Sequence, residues 1–126
     1  MIVGTGTDIV ETERIRSLIS RYGDRFLARW FSPDEIAYCR TQAKPYQHFA
    51  SRLAAKEATY KALRLREKPL CWKDIVVGRD ADGQPHLTLH GKPRAAADTL
   101  AVSRIHLSLS HCDAYAIASV TAERDT

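Results

Sequence analysis

From Ile2 to Ile9 the side chains follow a two-residue period, with Val3, Thr5, Thr7 and Ile9 on one side and Gly4, Gly6 and Asp8 on the other. This predicts a strand, one face of which carries almost no side chain before Asp8. A helical period follows, with Thr12 as N-cap, Ile15, Leu18, Ile19 and Tyr22 on the apolar face, and Gly23 as stop. Ser32-Pro33-Asp34-Glu35 combines an N-cap, a first-turn proline and a capping-box glutamate, and predicts a second helix to about Lys44, closed by Pro45. The longest predicted helix runs from about Gln47 to Arg64 without Gly or Pro, and Phe49, Leu53, Tyr60 and Leu63 form its apolar stripe. Beyond Pro69 the texture turns strand-like. Asp74 to Gly78 and His86 to His90 flank the turn sequence Asp80-Ala-Asp-Gly83, which reads as a hairpin. A weak helix is expected from about Pro93 to Leu100. Ile105, Leu107 and Leu109 then alternate with His106, Ser108 and Ser110, and a last strand from Tyr115 to Val120 pairs with them across Cys112-Asp113-Ala114.

Helices gathered in the first half and hairpins in the second predict an α+β fold, an antiparallel sheet packed with a long helix. No repeat, low-complexity tract or linker divides the chain, so residues 1–126 are expected to fold as one domain. No apolar run approaches the roughly 18 residues of a membrane span. Met1-Ile2-Val3-Gly4 has no basic residue ahead of its apolar ones, so a cytoplasmic address is expected. Cys39, Cys71 and Cys112 are too scattered for a zinc site and odd in number, and are read as reduced packing thiols. The net charge of +4 favours an anionic partner of some kind.

Lys56 falls inside the apolar stripe of the long helix, and Glu57 and Lys61 lie one turn apart at its edge. The plain reading has Lys56 snorkelling to solvent and Glu57 with Lys61 as an exposed ion pair. Asp8 likewise has a plain reading as the cap of the next helix. A second reading joins Asp8 to Glu57. Two carboxylates from different elements suit Mg²⁺, which takes oxygen ligands and fills its remaining positions with water or phosphate oxygens. Lys56 and Lys61 beside such an ion would make a pyrophosphate site. Ser110-His111-Cys112-Asp113 holds the residue types of a nucleophilic triad, but neighbours on a strand point alternately apart, so no triad is read there.

Three segments together resemble one family: Gly6-Thr-Asp8-Ile-Val-Glu-Thr-Glu-Arg14-Ile, then Phe49-Ala-Ser-Arg52-Leu-Ala-Ala-Lys56-Glu57-Ala-Thr-Tyr-Lys61-Ala, then Ile105-His-Leu-Ser-Leu-Ser-His111. They are similar to the motifs of the small, stand-alone 4′-phosphopantetheinyl transferases, and the similarity runs from Met1 to about Val120. The resemblance implies that family's α+β fold, a homotrimer with active sites between subunits, and transfer of 4′-phosphopantetheine from coenzyme A to a serine of an apo acyl carrier protein. It implies Asp8 and Glu57 as Mg²⁺ ligands and Lys61 at the coenzyme pyrophosphate. Glu57, Lys61 and His111 become the catalytic candidates. Arg52, Lys56 and His111 are carried over near the phosphates, His111 from a neighbouring subunit.

Arg14 and Arg21, seven residues apart and so on one side of the first helix, are expected to dock an acidic carrier protein. The family's Gly-rich turn after the long helix is replaced here by Leu63-Arg64-Leu65-Arg66-Glu67-Lys68-Pro69. At least one of the cations Arg64, Arg66 and Lys68, Arg64 foremost because it follows Lys61 by three residues, is expected to bind phosphate; the plain reading is three solvated charges at a helix end. Rival classes are a magnesium-dependent nuclease or pyrophosphohydrolase and a nucleic-acid-binding module. Against the latter, aromatic residues are nowhere interleaved with Arg or Lys in a stacking run. Neither nucleic acid nor a membrane is therefore expected as partner.

Overall fold

A computed structural model describes residues 1–66 and 71–126. The chain is α+β with antiparallel sheets. The first strand, β1 (Ile2–Glu11), runs directly into α1 (Thr12–Tyr22), which Gly23 ends with φ of 58°. Thr12 is thus the first helical residue rather than the cap, and its backbone N–H is taken by the Ala114 carbonyl at 2.9 Å. A short helix that periodicity had not suggested, α2 (Asp24–Trp30), fills the stretch before Ser32.

The capping box forms as the sequence predicts: Ser32 and Glu35 exchange bonds at the start of α3 (Pro33–Arg40). Pro45 does not close that helix; it occupies the first turn of α4 (Pro45–Ala62), where its missing N–H costs nothing. This long helix is buried nearly all round, from Phe49 to Lys56 without a break, and not along one stripe. The reason is that the larger sheet covers one side of it and α1, α3 and the start of the later hairpin cover others. After a 3₁₀ turn (Trp72–Asp74) come the hairpin β2 (Ile75–Arg79) and β3 (Pro85–Leu89), α5 (Gly91–Thr99), β4 (Arg104–His111) and β5 (Tyr115–Glu123).

The larger sheet has the order β1-β5-β4, antiparallel throughout, with Asp8 opposite Ala118 and His111 opposite Ala116. Its inner face is deliberately small. Gly4 and Gly6 lie under α4 so closely that a Cβ on either would run into the carbonyl oxygen of Ala62 or Ala58. Ala116, Ala118, Val120 and Ala122 of β5 continue that surface, and the core lies between it and α4. The opposite face presents Thr5, Thr7, Ile9, Tyr115, Ile117 and Ser119 to solvent. No helix among the described residues is long and apolar enough to cross a membrane. Of the cysteines only Cys39 is a packing residue, its thiol pushed up to about 12 by burial; Cys71 and Cys112 are exposed, contrary to the sequence reading.

Candidate active site

The glycine face of β1 lets the α4 backbone approach until Glu57 and Lys61, successive on one edge of the helix, stand beside Asp8. Lys61 donates to the Asp8 carboxylate at 3.1 Å and to the Thr7 carbonyl at 2.9 Å. The second Asp8 oxygen, Oδ2, is buried and has no hydrogen-bond partner. The Glu57 carboxyl is pushed up to about 8, first by burial and then by Asp8, as hydrogen-bond partner and as like charge, with Arg14 and Lys61 pulling the other way. Asp8, Arg14, Glu57, Lys61, Arg66 and Trp72 line one open cavity of about 460 Å³.

Two opposed carboxylates, one with a buried unsatisfied oxygen, can share a proton or a cation between them. Among the described residues no cluster of three or more His, Cys, Asp and Glu is gathered, so a protein cage of the zinc or calcium type is not formed here. Asp8 and Glu57 do fit Mg²⁺, which needs only one or two carboxylates when phosphate oxygens and water complete its shell.

A second cluster lies at the other end of α4. Arg52 is 2% exposed, sits 4.3 Å from the Tyr38 ring centroid, and bonds only weakly to the His48 carbonyl at 3.4 Å; its Nε is buried without a partner. His48 and His111 face each other at 5.6 Å between ring centroids, and Arg79 also lies over Tyr38 at 5.2 Å. Burial, then Arg52, His111 and Arg79, hold His48 below the usual histidine range. From Arg52 to Lys61 is nine residues, roughly 13 Å of helix axis. Within one chain, therefore, His111 and Arg52 are brought together at a distance from Lys61 and its partner Asp8, with Glu57 between them about 7–8 Å along the axis from Arg52.

The family model described as the 4′-phosphopantetheinyl transferase superfamily matches residues 4–120. The chain belongs to that superfamily. The transferase is 48% identical over 124 residues to a holo-[acyl-carrier-protein] synthase of Koribacter versatilis, covering 98% of this chain and 99% of that one. It is similar to the crystal structure of the Neisseria meningitidis holo-[acyl-carrier-protein] synthase, with a TM-score of 0.86 and 34% identity over 98% of this chain and 100% of that one. The Helicobacter pylori synthase solved in complex with coenzyme A gives a TM-score of 0.81 and 31% identity, over 94% and 99% of the two chains.

Two of the transferase's expected phosphate ligands are differently employed. Lys56 neither snorkels nor faces the cavity. Its side chain is fully buried, and its ammonium donates to Glu35 Oε1 at 2.8 Å and to the carbonyls of Ile75 at 2.7 Å and Trp72 at 3.0 Å, so all three protons are used. Burial pulls its pKa down, against the Glu35 carboxylate, which raises it. Arg64 is likewise engaged elsewhere. The long helix ends in a Schellman motif, with Leu65 N–H bonded to Tyr60 O at 2.9 Å and Arg64 N–H to Lys61 O at 3.2 Å, which puts Arg64 in the left-handed region at φ 56°. That twist turns the guanidinium to the Val3 carbonyl at 3.1 Å, toward the start of β1 and away from Asp8. Arg66 lines the cavity instead; Lys68 lies outside the described residues.

Arg14 borders both the site cavity and an adjoining groove shared with Leu18, Tyr22, Arg25, Arg29 and Trp30. Arg21 does not line that groove: it packs against Tyr22 and borders a separate cleft with Glu13 and Arg16. Arg25 and Arg29 escaped the sequence reading along with α2. Asp24 in its first turn, with Phe26, Leu27 and Trp30 at helical spacing, was the available signal.

Proposed function

We propose that this transferase moves 4′-phosphopantetheine from coenzyme A to a serine of an apo acyl carrier protein, with Mg²⁺ held by Asp8 and Glu57. The observation that carries the reading is the partnerless, buried Oδ2 of Asp8 opposite Glu57, in a cavity otherwise rimmed by Arg14, Lys61 and Arg66. Carboxylates that need a cation, ringed by cations that need an anion, suit a magnesium–pyrophosphate group. What the ion supplies when bound is neutralisation and orientation of the phosphate oxygens.

In the reaction the carrier serine Oγ forms a bond to the β-phosphorus of coenzyme A as the bond to the leaving 3′,5′-ADP breaks. Lys61, half exposed on the helix edge, exchanges its Asp8 and Thr7 contacts for a phosphate oxygen and offsets the charge gathering there. The serine proton has two candidate acceptors by position: the Glu57 carboxylate on the cavity wall and His111 at the Arg52 cluster.

His111 and Arg52 lie roughly 13 Å along α4 from Lys61, a separation compatible with the family-implied arrangement of one coenzyme between copies of the chain, with pyrophosphate at the Asp8 end of one and a phosphate near His111 and Arg52 of the next. The outer sheet face offers a surface for assembly into the homotrimer that the family resemblance implies: Ile9, Tyr115 and Ile117 are 59%, 47% and 41% exposed there. The Arg14, Arg25 and Arg29 groove, beside the site, receives the acidic carrier.

The deciding experiment is mass spectrometry of an apo carrier protein incubated with coenzyme A, Mg²⁺ and the chain. A gain of one phosphopantetheine that disappears with a chelator supports the reading. Hydrolysis of coenzyme A without labelling of the carrier would replace it with a hydrolase.

A further inference from the structure

We propose that Lys56 and Glu35 are positioning residues, a buried ion pair whose task is to hold Trp72 as the wall of the cavity that faces Asp8 and Glu57. The inference rests on the transfer reaction proposed above and adds to it the groups that set the cavity's shape.

Four segments meet at this pair. Glu35 Oε1 accepts from Ser32 N–H and from Lys56 Nζ, both at 2.8 Å, and Oε2 accepts from Val77 N–H at 2.9 Å. Lys56 Nζ adds the carbonyls of Trp72 and Ile75. The start of α3, the middle of α4, the 3₁₀ turn and β2 are thereby pinned at one point with no exposed side chain on either partner. One residue along α4 from Lys56 is Glu57.

The segment Cys71–Ile75 carries Trp72, which lines the cavity with Asp8, Glu57 and Lys61. Its indole stacks on Trp30 at 4.9 Å and 12°, and meets the Tyr60 ring edge-on at 4.7 Å. Tyr60 also accepts the Cys71 N–H at 3.0 Å through its hydroxyl. Trp30 belongs to the arginine groove, so the stack is the partition between that groove and the metal end of the site.

An ion pair is a costly way to fill a core. Apolar residues of similar volume commonly stabilise as well or better, because two charges need not be desolvated. They cannot, however, bond main-chain carbonyls. The ammonium does so at two carbonyls three residues apart, fixing the position of Trp72 relative to Glu57 along directed bonds, and misplacement by about 1 Å at a reacting centre can cost on the order of 100-fold in rate.

The test is the double substitution Glu35→Gln with Lys56→Met, which removes both charges and avoids stranding one. The chain has two tryptophans, both in the stack, so near-ultraviolet circular dichroism reports on this wall alone among indoles. The double variant is expected to melt cooperatively, to lose the stacked-indole signal, and to load the carrier with kcat lowered by at least about tenfold while the KM for coenzyme A stays within about threefold. A folded double variant with parental kcat and a parental indole signal overturns the proposal. If the double variant does not fold, Trp72→Leu, which leaves the pair intact, decides: a similar loss of kcat, rescued by Trp72→Phe, supports the wall, and parental kcat in Trp72→Leu rejects it. Failure of the parent chain to load any carrier would count against the transfer reaction, whereas the indole signal of the double variant still tests the positioning.

Discussion

Lys61 binds one oxygen of Asp8 at 3.1 Å, while the other oxygen of the same carboxylate is buried and unpartnered. Lysine alone thus leaves half the carboxylate to the Glu57 carboxyl opposite it, which is where the proposed divalent cation would sit. Asp8→Ala and Glu57→Ala are each expected to lower phosphopantetheine transfer by on the order of 10²–10³-fold and to melt at or above the parental temperature in chelator. Transfer rates from carrier mass spectra, alongside thermal melts, check both parts. Near-parental turnover at low Mg²⁺ in either folded variant would remove the metal assignment.

The raised Glu57 pKa makes metal-free stability pH-dependent. In the folded state this carboxyl holds its proton up to about 8, whereas unfolded it releases it near 4.5, so between those values the folded state binds more protons. Stability from this group is therefore full below about pH 4.5 and is lost as pH rises toward 8. Melting temperatures in chelator should fall across that window, and added Mg²⁺ should restore most of the loss at pH 8 and little at pH 5. In Glu57→Gln the slope should flatten.

Arg64 and Arg66 are expected to part company. Arg64→Gly relieves a left-handed residue worth about 1–2 kcal/mol, against about 0.4–1 kcal/mol for the freer unfolded chain and one exposed hydrogen bond, so urea midpoints should rise by the equivalent of about 0.5 kcal/mol. The KM for coenzyme A should not change. Arg66→Ala should leave stability alone and raise that KM several-fold.

Sharing of sites between subunits has a numerical signature. Glu57→Ala and His111→Ala proteins, each inactive, should regain activity when refolded together in equal amounts. If, as proposed, a site takes Glu57 from one copy and His111 from its neighbour, random assortment leaves about one site in four intact, and about a quarter of parental activity is expected. Light scattering that finds only monomer at the assay concentration would rule this out.

Carrier docking should depend on the groove more than on helix α1 alone. Arg14→Glu, Arg25→Glu and Arg29→Glu should each raise the KM for carrier protein by roughly tenfold at low salt, with the effect shrinking as salt rises. The KM for coenzyme A should hold for the α2 variants. Arg21→Glu, which changes a cleft outside the groove, is expected to have the smaller effect.

What the sequence determined by itself is local: the alternation that makes β1 and β4 strands, the capping box at Ser32 and Glu35, and a glycine face leading to Asp8. The spacing of Glu57 and Lys61 on one helix edge belongs there too, and with the three motif segments it was enough to name the carboxylates. Periodicity reports which side of an element is apolar, but not which element covers it. Pairing of β1 with β5 joins residues more than a hundred positions apart, and only that pairing lays the glycines under α4. The buried ion pair of Lys56 is not legible in sequence, because a lysine on an apolar face has two physical outcomes, reaching water or meeting an acid inside, and the choice is made by Glu35 arriving from another helix. Arg64 was misread for a related reason: its spacing from Lys61 held only while the helix continued, and the left-handed turn that ends it at Ala62 rotates the next side chain away. His111 and Arg52 meet, and meet apart from Asp8, because tertiary packing sets distance through space, which spacing along the chain does not encode.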